Sequence, residues 1–291
     1  MTTDVVVLGA GIIGLTAAVR LTGAGAAVEV WSPVDPLDTV SAVAAAVWYP
    51  TGTEPSPRLR RWALDSYAEF TRQATAGVPG LLLRPTRNLG PVPAPPWWAP
   101  PGTTTTPAEV RFTAPLADMR RYLPWLAAQV RQVRRRAATL ADALAAAPVV
   151  VHAAGLAARE LAADPAVHPV RGQVVLVTNP GLDTSVRTAG AYVHPRLDDV
   201  VLGGTFEPGA WDVTPEPATR DAILARCRAL VPALRDARVL GDLVGLRPAR
   251  HGGPRVEADG RVIHAYGHGA AGMTLSWGCA DEIVRIWRHD V

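Results

Sequence analysis

Apolar residues follow two rhythms along this chain. Near both ends, short unbroken apolar runs are interspersed with helical spacing; in the middle the apolar positions alternate in steps of two. VVVL at 5–8 is the kind of run that a strand buried on both faces requires, and good helix formers continue from Leu15 to Leu21. AAVEVW at 26–31 predicts the second strand of a βαβ unit. Behind Ser56 and Pro57, a suitable N-cap and first helical residue, Leu59, Trp62, Ala63, Tyr67 and Phe70 recur at helical spacing, so this aromatic stripe reads as core. Tyr122, Trp125 and Leu126 belong to another helix, and PVVVHAAG at 148–155 is a second buried-strand run. Residues 171–177, 191–194 and 200–206 read as strands joined by hairpin-like turns, followed by a helix over 218–230. A hairpin turn, a strand and a glycine-rich loop fill 256–272, and a closing helix covers 273–288. PVPAPPWWAPPGTTTTP at 91–107 holds too many prolines for regular structure and reads as a surface connection anchored by Trp97 and Trp98.

The first apolar run leads directly into Gly9, Gly11 and Gly14, a G-x-G-x-x-G between strand and helix. Each glycine has a physical role there. Gly9 permits the tight turn, Gly11 lets a pyrophosphate approach the backbone, and Gly14 lets helix and strand pack closely. The phosphates are expected at the helix N-terminus, where free N–H groups and the macrodipole favour negative charge. The pattern predicts an α/β fold, with a Rossmann-like dinucleotide-binding domain interrupted by an α+β substrate domain whose mixed sheet is largely antiparallel. One feature departs from the nicotinamide fingerprint. Ser32 and Pro33 stand where an acid should follow the second strand, with Asp35 two residues on; Asp35 reads as a loop carboxylate, a ribose contact being the alternative. The small residues of SAVAAAVWYP at 41–50 allow a backbone to lie close to a bulky planar ligand or to a tightly packed helix.

Composition removes several function classes. At 291 residues, 48% hydrophobic and 19% charged, the chain is globular with ample core. All 29 basic residues are arginine, which excludes a Schiff-base lysine and a P-loop lysine, and a net charge of +3 gives no support to nucleic-acid binding. RQVRRR at 131–136 is the one basic cluster and reads as a solvated face. No metal site is expected from 2 cysteines and no paired-histidine spacing. Without a signal peptide, a peroxisomal C-terminal tripeptide or a membrane-spanning apolar stretch, the expectation is a cytoplasmic, bacterial-type protein with no membrane partner.

Taken in order, VVVLGAGIIGLTAA, SAVAAAVWYP, YLPWL, RGQVVLV, YVHP, VVLGGTFEPGAWD, VGLRPAR and VIHAYGHGAAGMTLSWGCA run nearly from end to end. In this order they resemble the D-amino-acid oxidases, the FAD-dependent family that also includes D-aspartate oxidases and, more distantly, glycine oxidases. The resemblance implies an FAD domain built from 1–55, 128–168 and 256–291, and a substrate domain from 56–127 and 169–255. It implies that FAD is held by Gly9, Ala10, Gly11, Ile12, Ile13 and Gly14, by Thr39, Ser41, Ala45, Ala46 and Val47, and by Ala137 and Ala154. The closing loop adds Gly269, Ala270, Gly272, Met273 and Thr274, with Arg247 also in contact. Arg247 corresponds to the arginine that binds the substrate carboxylate, and Tyr192 to the tyrosine that gives it a second hydrogen bond. Ala270 replaces a glycine whose carbonyl holds the substrate amine. Hydride transfer from Cα to flavin N5 is implied, giving a 2-oxo acid, ammonia and hydrogen peroxide, with a small D-amino acid and oxygen as partners. A homodimer is left open.

Departures from the family sharpen these expectations. Thr188 occupies the place of a lid tyrosine, and the short stretch from 172 to 192 predicts an open pocket. His264 and His268 read as structural, as does Arg250 beside Arg247. Val47, Tyr49 and Arg187 are expected at the pocket border. Arg187 reads as a solvated turn residue, which favours neutral substrates; paired with an acidic side chain it would make a D-aspartate oxidase. A nicotinamide-dependent dehydrogenase and a non-catalytic flavin-binding protein are the alternatives from other classes. A disulfide between Cys227 and Cys279 is weighed against buried free thiols, and the thiols are favoured.

Overall fold

The computed structural model describes residues 2–50 and 54–291. Its strands in chain order begin with β1 (Val5–Leu8), β2 (Val28–Ser32), β3 (Leu81–Leu89), β4 (Thr104–Thr106) and β5 (Glu109–Ala117). Next come β6 (Arg131–Arg134), β7 (Val149–His152), β8 (Val167–Thr178), β9 (Ser185–Arg187) and β10 (Tyr192–Pro195). The last are β11 (Asp199–Gly203), β12 (Glu207–Pro208), β13 (Val239–Arg250), β14 (Arg255–Asp259) and β15 (Val262–Tyr266). The helices are α1 (Ile12–Gly23), α2 (Val40–Val43), α3 (Pro57–Thr75), α4 (Met119–Ala127), α5 (Leu140–Leu144), α6 (Ala158–Leu161), α7 (Pro217–Leu230) and α8 (Gly272–His289).

Two sheets carry the fold. The first has six strands in the order β14-β15-β7-β1-β2-β6, all parallel except β14, and β1 at its centre is buried along its whole length. That is why the sequence shows an unbroken apolar run there rather than alternation. On one face α1 and α8 pack together; on the other, Ala143 of α5 joins Val6, Leu8 and Trp31. The second sheet has nine strands, with β13 and β8 forming a long antiparallel pair and β11, β10, β9, β3 and β5 following in turn. Helix α7 covers it through Ile223, Leu224 and Cys227.

Side-chain caps mark the starts of α3, α4 and α5. Ser56 accepts from the Leu59 amide at 3.1 Å, Asp118 from Arg120, and Thr139 with Asp142 forms a reciprocal capping box on α5. Helices α3 and α4 fall in the 56–127 stretch expected in the substrate domain, yet they share one apolar core with the first sheet. Gly278 of α8 lies so close to α3 that a Cβ there would stand 2.4 Å from the Trp62 Cα, and Trp277 Nε1 donates to the Tyr122 hydroxyl of α4 at 3.0 Å.

Two stretches differ from the sequence reading. The arginine cluster at 131–136 includes β6, which pairs in parallel with β2 and forms the sheet edge; Arg131 and Arg134 on it are exposed, charges that keep an edge strand from pairing further. Within the proline-rich connection, Thr104–Thr106 adds a short strand to β5. Trp98 is buried against Trp48, Tyr49 and Phe112, anchoring the remainder.

Candidate functional site

A cavity of about 1030 Å³ is lined by residues of both sheets. One end is the turn between β1 and α1. Gly9 has φ +111°, and a Cβ on it would stand 2.5 Å from the Ala153 carbonyl oxygen of the neighbouring strand's end. A Cβ on Gly14 would stand 1.9 Å from the Gly9 carbonyl oxygen, so Gly14 serves helix–strand packing and does not line the cavity. Gly11 is different: a Cβ there would meet nothing of the protein within 4 Å except Ser41 Oγ at 3.1 Å. It faces the cavity, which is the place a phosphate needs. The Ser41 hydroxyl accepts from the Ile12 amide at 3.0 Å, tying the 39–47 segment to the helix N-terminus, and no acidic residue stands in the first turn of α1.

Beyond β2, Asp35 caps a short turn by accepting from the Leu37 amide at 2.9 Å and is not part of the cavity wall. Trp31, Ser32 and Pro33 line it there, with Arg135, Arg136 and Ala137 from the segment after β6. The Arg135 guanidinium lies 3.9 Å from the Trp31 ring centroid. These two arginines therefore belong to the cavity and not to a merely solvated face.

Around the middle, Thr39, Ala45, Ala46, Val47 and Ala154 line the cavity, opposite Gly269, Ala270, Gly272 and Met273. Thr274 lies behind this wall. Its hydroxyl accepts from the Tyr49 amide at 3.1 Å and donates to the Tyr49 carbonyl at 3.0 Å, which fastens the 44–49 loop to α8.

The second sheet supplies the other end. Tyr192 on β10 pairs with Gly203 on β11, and a Cβ on Gly203 would stand 1.9 Å from the Tyr192 ring. A Cβ on Gly172 would stand 2.2 Å from each terminal nitrogen of Arg247. Both side chains lie flat across glycines of neighbouring strands. Arg247 Nη1 donates to the Thr205 and Arg171 carbonyls at 3.2 and 3.3 Å, leaving the rest of the fork for a ligand. Burial pushes the Tyr192 phenol up, against the pull of Arg247 and Arg187. The sequence reading missed the part Gly172 and Gly203 play in seating these two side chains; the signal was a glycine inside a strand, which marks close approach of another group.

Arg187 is not a solvated turn residue. It is the last residue of β9, directly paired with Tyr192, and its guanidinium lies 3.5 Å from the Tyr49 ring centroid. Its Nε is sealed from solvent without a partner, and burial lowers its pKa. Asn88 donates to the Tyr49 hydroxyl at 3.2 Å, fixing the ring beneath it. His194, also unforeseen, is buried beside Tyr192 with ring centroids 4.8 Å apart, and burial pushes it down to about 3.

The remaining candidates have partners within the protein, and His268 also lines the cavity. Arg250 pairs with Asp164 at 2.8 Å; His264 meets His152 at 3.3 Å, and His268 meets Cys279 Sγ at 3.4 Å, with burial holding His268 down to about 4. Cys227 and Cys279 are buried free thiols with separate surroundings. Thr188 lies in the turn 188–191 that joins β9 to β10, closed by the Thr188 amide donating to the Ala191 carbonyl at 2.8 Å, so a long lid is absent from this edge. Among the described residues no helix is long and apolar enough to cross a membrane.

The profile of the FAD dependent oxidoreductase family matches residues 4–89 and 108–286. The chain is 42% identical to a D-amino-acid oxidase of Rubrobacter xylanophilus, covering 97% of this chain and 94% of that protein. It is likewise 42% identical to a D-amino-acid oxidase of Streptomyces coelicolor, covering 97% and 96%. Its fold matches the glycine oxidase of Bacillus cereus with TM-score 0.82 at 19% identity, over 100% of this chain and 96% of that one.

Proposed function

The chain belongs to the FAD dependent oxidoreductase family, and from that premise we propose that it is a D-amino-acid oxidase, releasing 2-oxo acid, ammonia and hydrogen peroxide. The observation that carries this reading is the pairing of Arg247 with Tyr192, both laid across strand glycines at the end of the cavity away from the β1–α1 turn.

FAD fits the residues present. Gly11 offers a Cβ-free face to the cavity beside the amides of the α1 N-terminus, and the small residues 44–46 leave room for a flat ring. We assign Gly9 to Ile13, Thr39, Ser41, Ala45 to Val47, Ala137, Ala154, Gly269, Ala270, Gly272 and Met273 to holding it, with Gly14 and Thr274 supporting from behind. When bound, FAD supplies the two-electron acceptor for the substrate's Cα–H, and its reoxidation by oxygen gives the peroxide.

The protein's own part is orientation and electrostatics. Arg247 and the Tyr192 hydroxyl take the α-carboxylate, a charge-assisted fork plus one neutral donor. The backbone carbonyl at Ala270 takes the amine, which fixes the direction of the Cα–H bond. No side chain is needed to take a proton from an amine that binds uncharged. In keeping with that, the carboxylates lining the cavity among the described residues are Asp38 and Glu160, and neither lies on a segment carrying Arg247, Tyr192 or Ala270. The division into a cofactor part, 1–55, 128–168 and 256–291, and a substrate part, 56–127 and 169–255, belongs to the same reading.

Peroxide release from the yellow purified protein over matched D- and L-amino acids, with glycine included, tests it. Activity confined to D enantiomers is expected. A colourless protein, a nicotinamide requirement, or equal rates on L-amino acids would overturn it.

A further inference from the structure

Arg171, Arg196 and Arg187 are the guanidiniums to compare. Arg171, 1% exposed, is paired with Glu207 at 2.9 Å, and Arg196, 2% exposed, with Asp199 at 2.6 Å. The molecule thus supplies a carboxylate to the cations it buries most deeply, as the cost of an unpaired buried charge requires. Arg187 is half-buried and has no such partner. Its Nε is sealed from solvent and unsatisfied, it makes no ion pair among the described residues, and its guanidinium lies over the face of Tyr49, with Tyr192 and His194 nearby. An aromatic face stabilises a guanidinium without using its N–H edge, which leaves that edge free to accept an anion in the ring plane.

Pairing register determines where this edge belongs. Arg187 and Tyr192 are directly opposed on antiparallel strands, so their side chains leave the sheet on the same face, the face that lines the cavity. Arg247 lines the same cavity, also without a protein carboxylate. At the second-sheet end of the cavity, Arg187 and Arg247 are two cations without counter-ions. The α-carboxylate of a neutral amino acid answers one of them; a dicarboxylic amino acid answers both. The β1–α1 turn, where a pyrophosphate is expected, belongs to the first sheet and Arg187 to the second.

Resting on the oxidase reading above, we propose that Arg187 binds the side-chain carboxylate of an acidic D-amino acid while Arg247 holds its α-carboxylate. Arg187 is then the specificity-determining residue, and D-aspartate or D-glutamate is oxidised in preference to the isosteric amide. Tyr49 and Asn88 position it. The neutral preference expected from the sequence rested on a solvated Arg187, and the buried Nε removes that premise.

The holoenzyme tests this in two ways. Peroxide release should give kcat/KM for D-aspartate over D-asparagine, or for D-glutamate over D-glutamine, of about tenfold or more, the scale of a charge-assisted bond against a neutral one. In Arg187→Met the ratio of the acidic substrate to D-alanine should fall by about the same factor, with Arg187→Lys recovering part of it. Independently of turnover, succinate should perturb the flavin absorbance at about tenfold lower concentration than butyrate in the wild type, and lose that advantage in Arg187→Met. Wild-type amide and acid of equal kcat/KM would overturn the proposal, as would a loss in Arg187→Met shared equally by D-alanine. The wild-type ratio decides by itself if Arg187→Met does not fold. Absence of peroxide from every D-amino acid would refute the oxidase reading instead, and the succinate titration then decides the role of Arg187.

Discussion

Arg247 rests on Gly172: a Cβ added to that glycine would stand 2.2 Å from both terminal nitrogens of the guanidinium. The clash falls on the free end of a flexible side chain, so the fold can absorb it while the guanidinium must move. Gly172→Ala is therefore expected to raise KM for every D-amino acid with little change in Tm or flavin content. The direct truncation, Arg247→Ala, should cost about 1.5–3 kcal/mol of substrate binding, roughly ten- to a hundredfold in KM. Wild-type KM in both variants would remove Arg247 from the carboxylate site.

Tyr192→Phe keeps the ring over Gly203 and deletes only the hydroxyl. One neutral hydrogen bond is worth about 0.5–1.5 kcal/mol, so KM should rise by up to about tenfold, less than for Arg247→Ala. Unaltered steady-state kinetics would mean that the phenol does not touch substrate.

Gly11 and Gly14 separate cofactor binding from folding. At Gly11 an added Cβ meets only Ser41 Oγ within the protein, at 3.1 Å, whereas at Gly14 it would lie 1.9 Å from the Gly9 carbonyl oxygen. Gly11→Ala should yield folded protein with weakened flavin retention, seen as released flavin fluorescence after dialysis. Gly14→Ala should lower Tm even in the apoprotein. Equal behaviour of the two variants would contradict this division of labour.

Buried histidines predict an acid limit to stability. Burial pushes His152 and His194 down to about 3 and His268 to about 4. In the unfolded chain each titrates near 6.5, so below that pH the unfolded state binds more protons and unfolding is favoured. Their contribution is complete above about pH 6.5 and is lost as pH falls towards 4–3, with a slope of up to about 4 kcal/mol per pH unit near pH 5. Carboxylates held low, such as Glu109 at about 2 beside Arg87 and Arg111, act only below about pH 4.5. Urea titrations at pH 7.5, 6 and 5 measure this; a flat profile across that range would refute it.

Cys227 sits against the Tyr192 and Gly203 carbonyls and Cys279 against His268, with burial pushing Cys227 up to about 11 and Cys279 also upward. Neither thiol should react with a disulfide reagent in the native protein at pH 8, and both should react in denaturant. Melting is expected to be the same with and without reductant.

The β1–α1 unit and the closing loop with α8 were legible because their signals are local: an unbroken apolar run, glycines at fixed offsets, helix caps. β6 was not, since RQVR shows no alternation and its strand state comes from pairing with β2. Arg187 was misread for a related reason. Its burial follows from antiparallel register with Tyr192 and from Tyr49, which lies far away in sequence, and neither is visible in the residues around it. The roles of Gly172 and Gly203 likewise depend on which long side chain crosses the neighbouring strand.

The order of strands in the first sheet has a consequence for biogenesis. β1 and its glycine turn are made early, but β15 and the 267–273 loop that close the same cavity are translated after every other strand. A nascent chain therefore carries the glycine turn with one wall of the cavity missing until residues 267–273 have been added. Flavin capture becomes a late event, coupled to docking of α8 on α1 and α3. Ribosome-stalled chains ending at residue 250 should retain no flavin, and scarcity of the cofactor should then leave an unlatched polypeptide, the form most exposed to proteases.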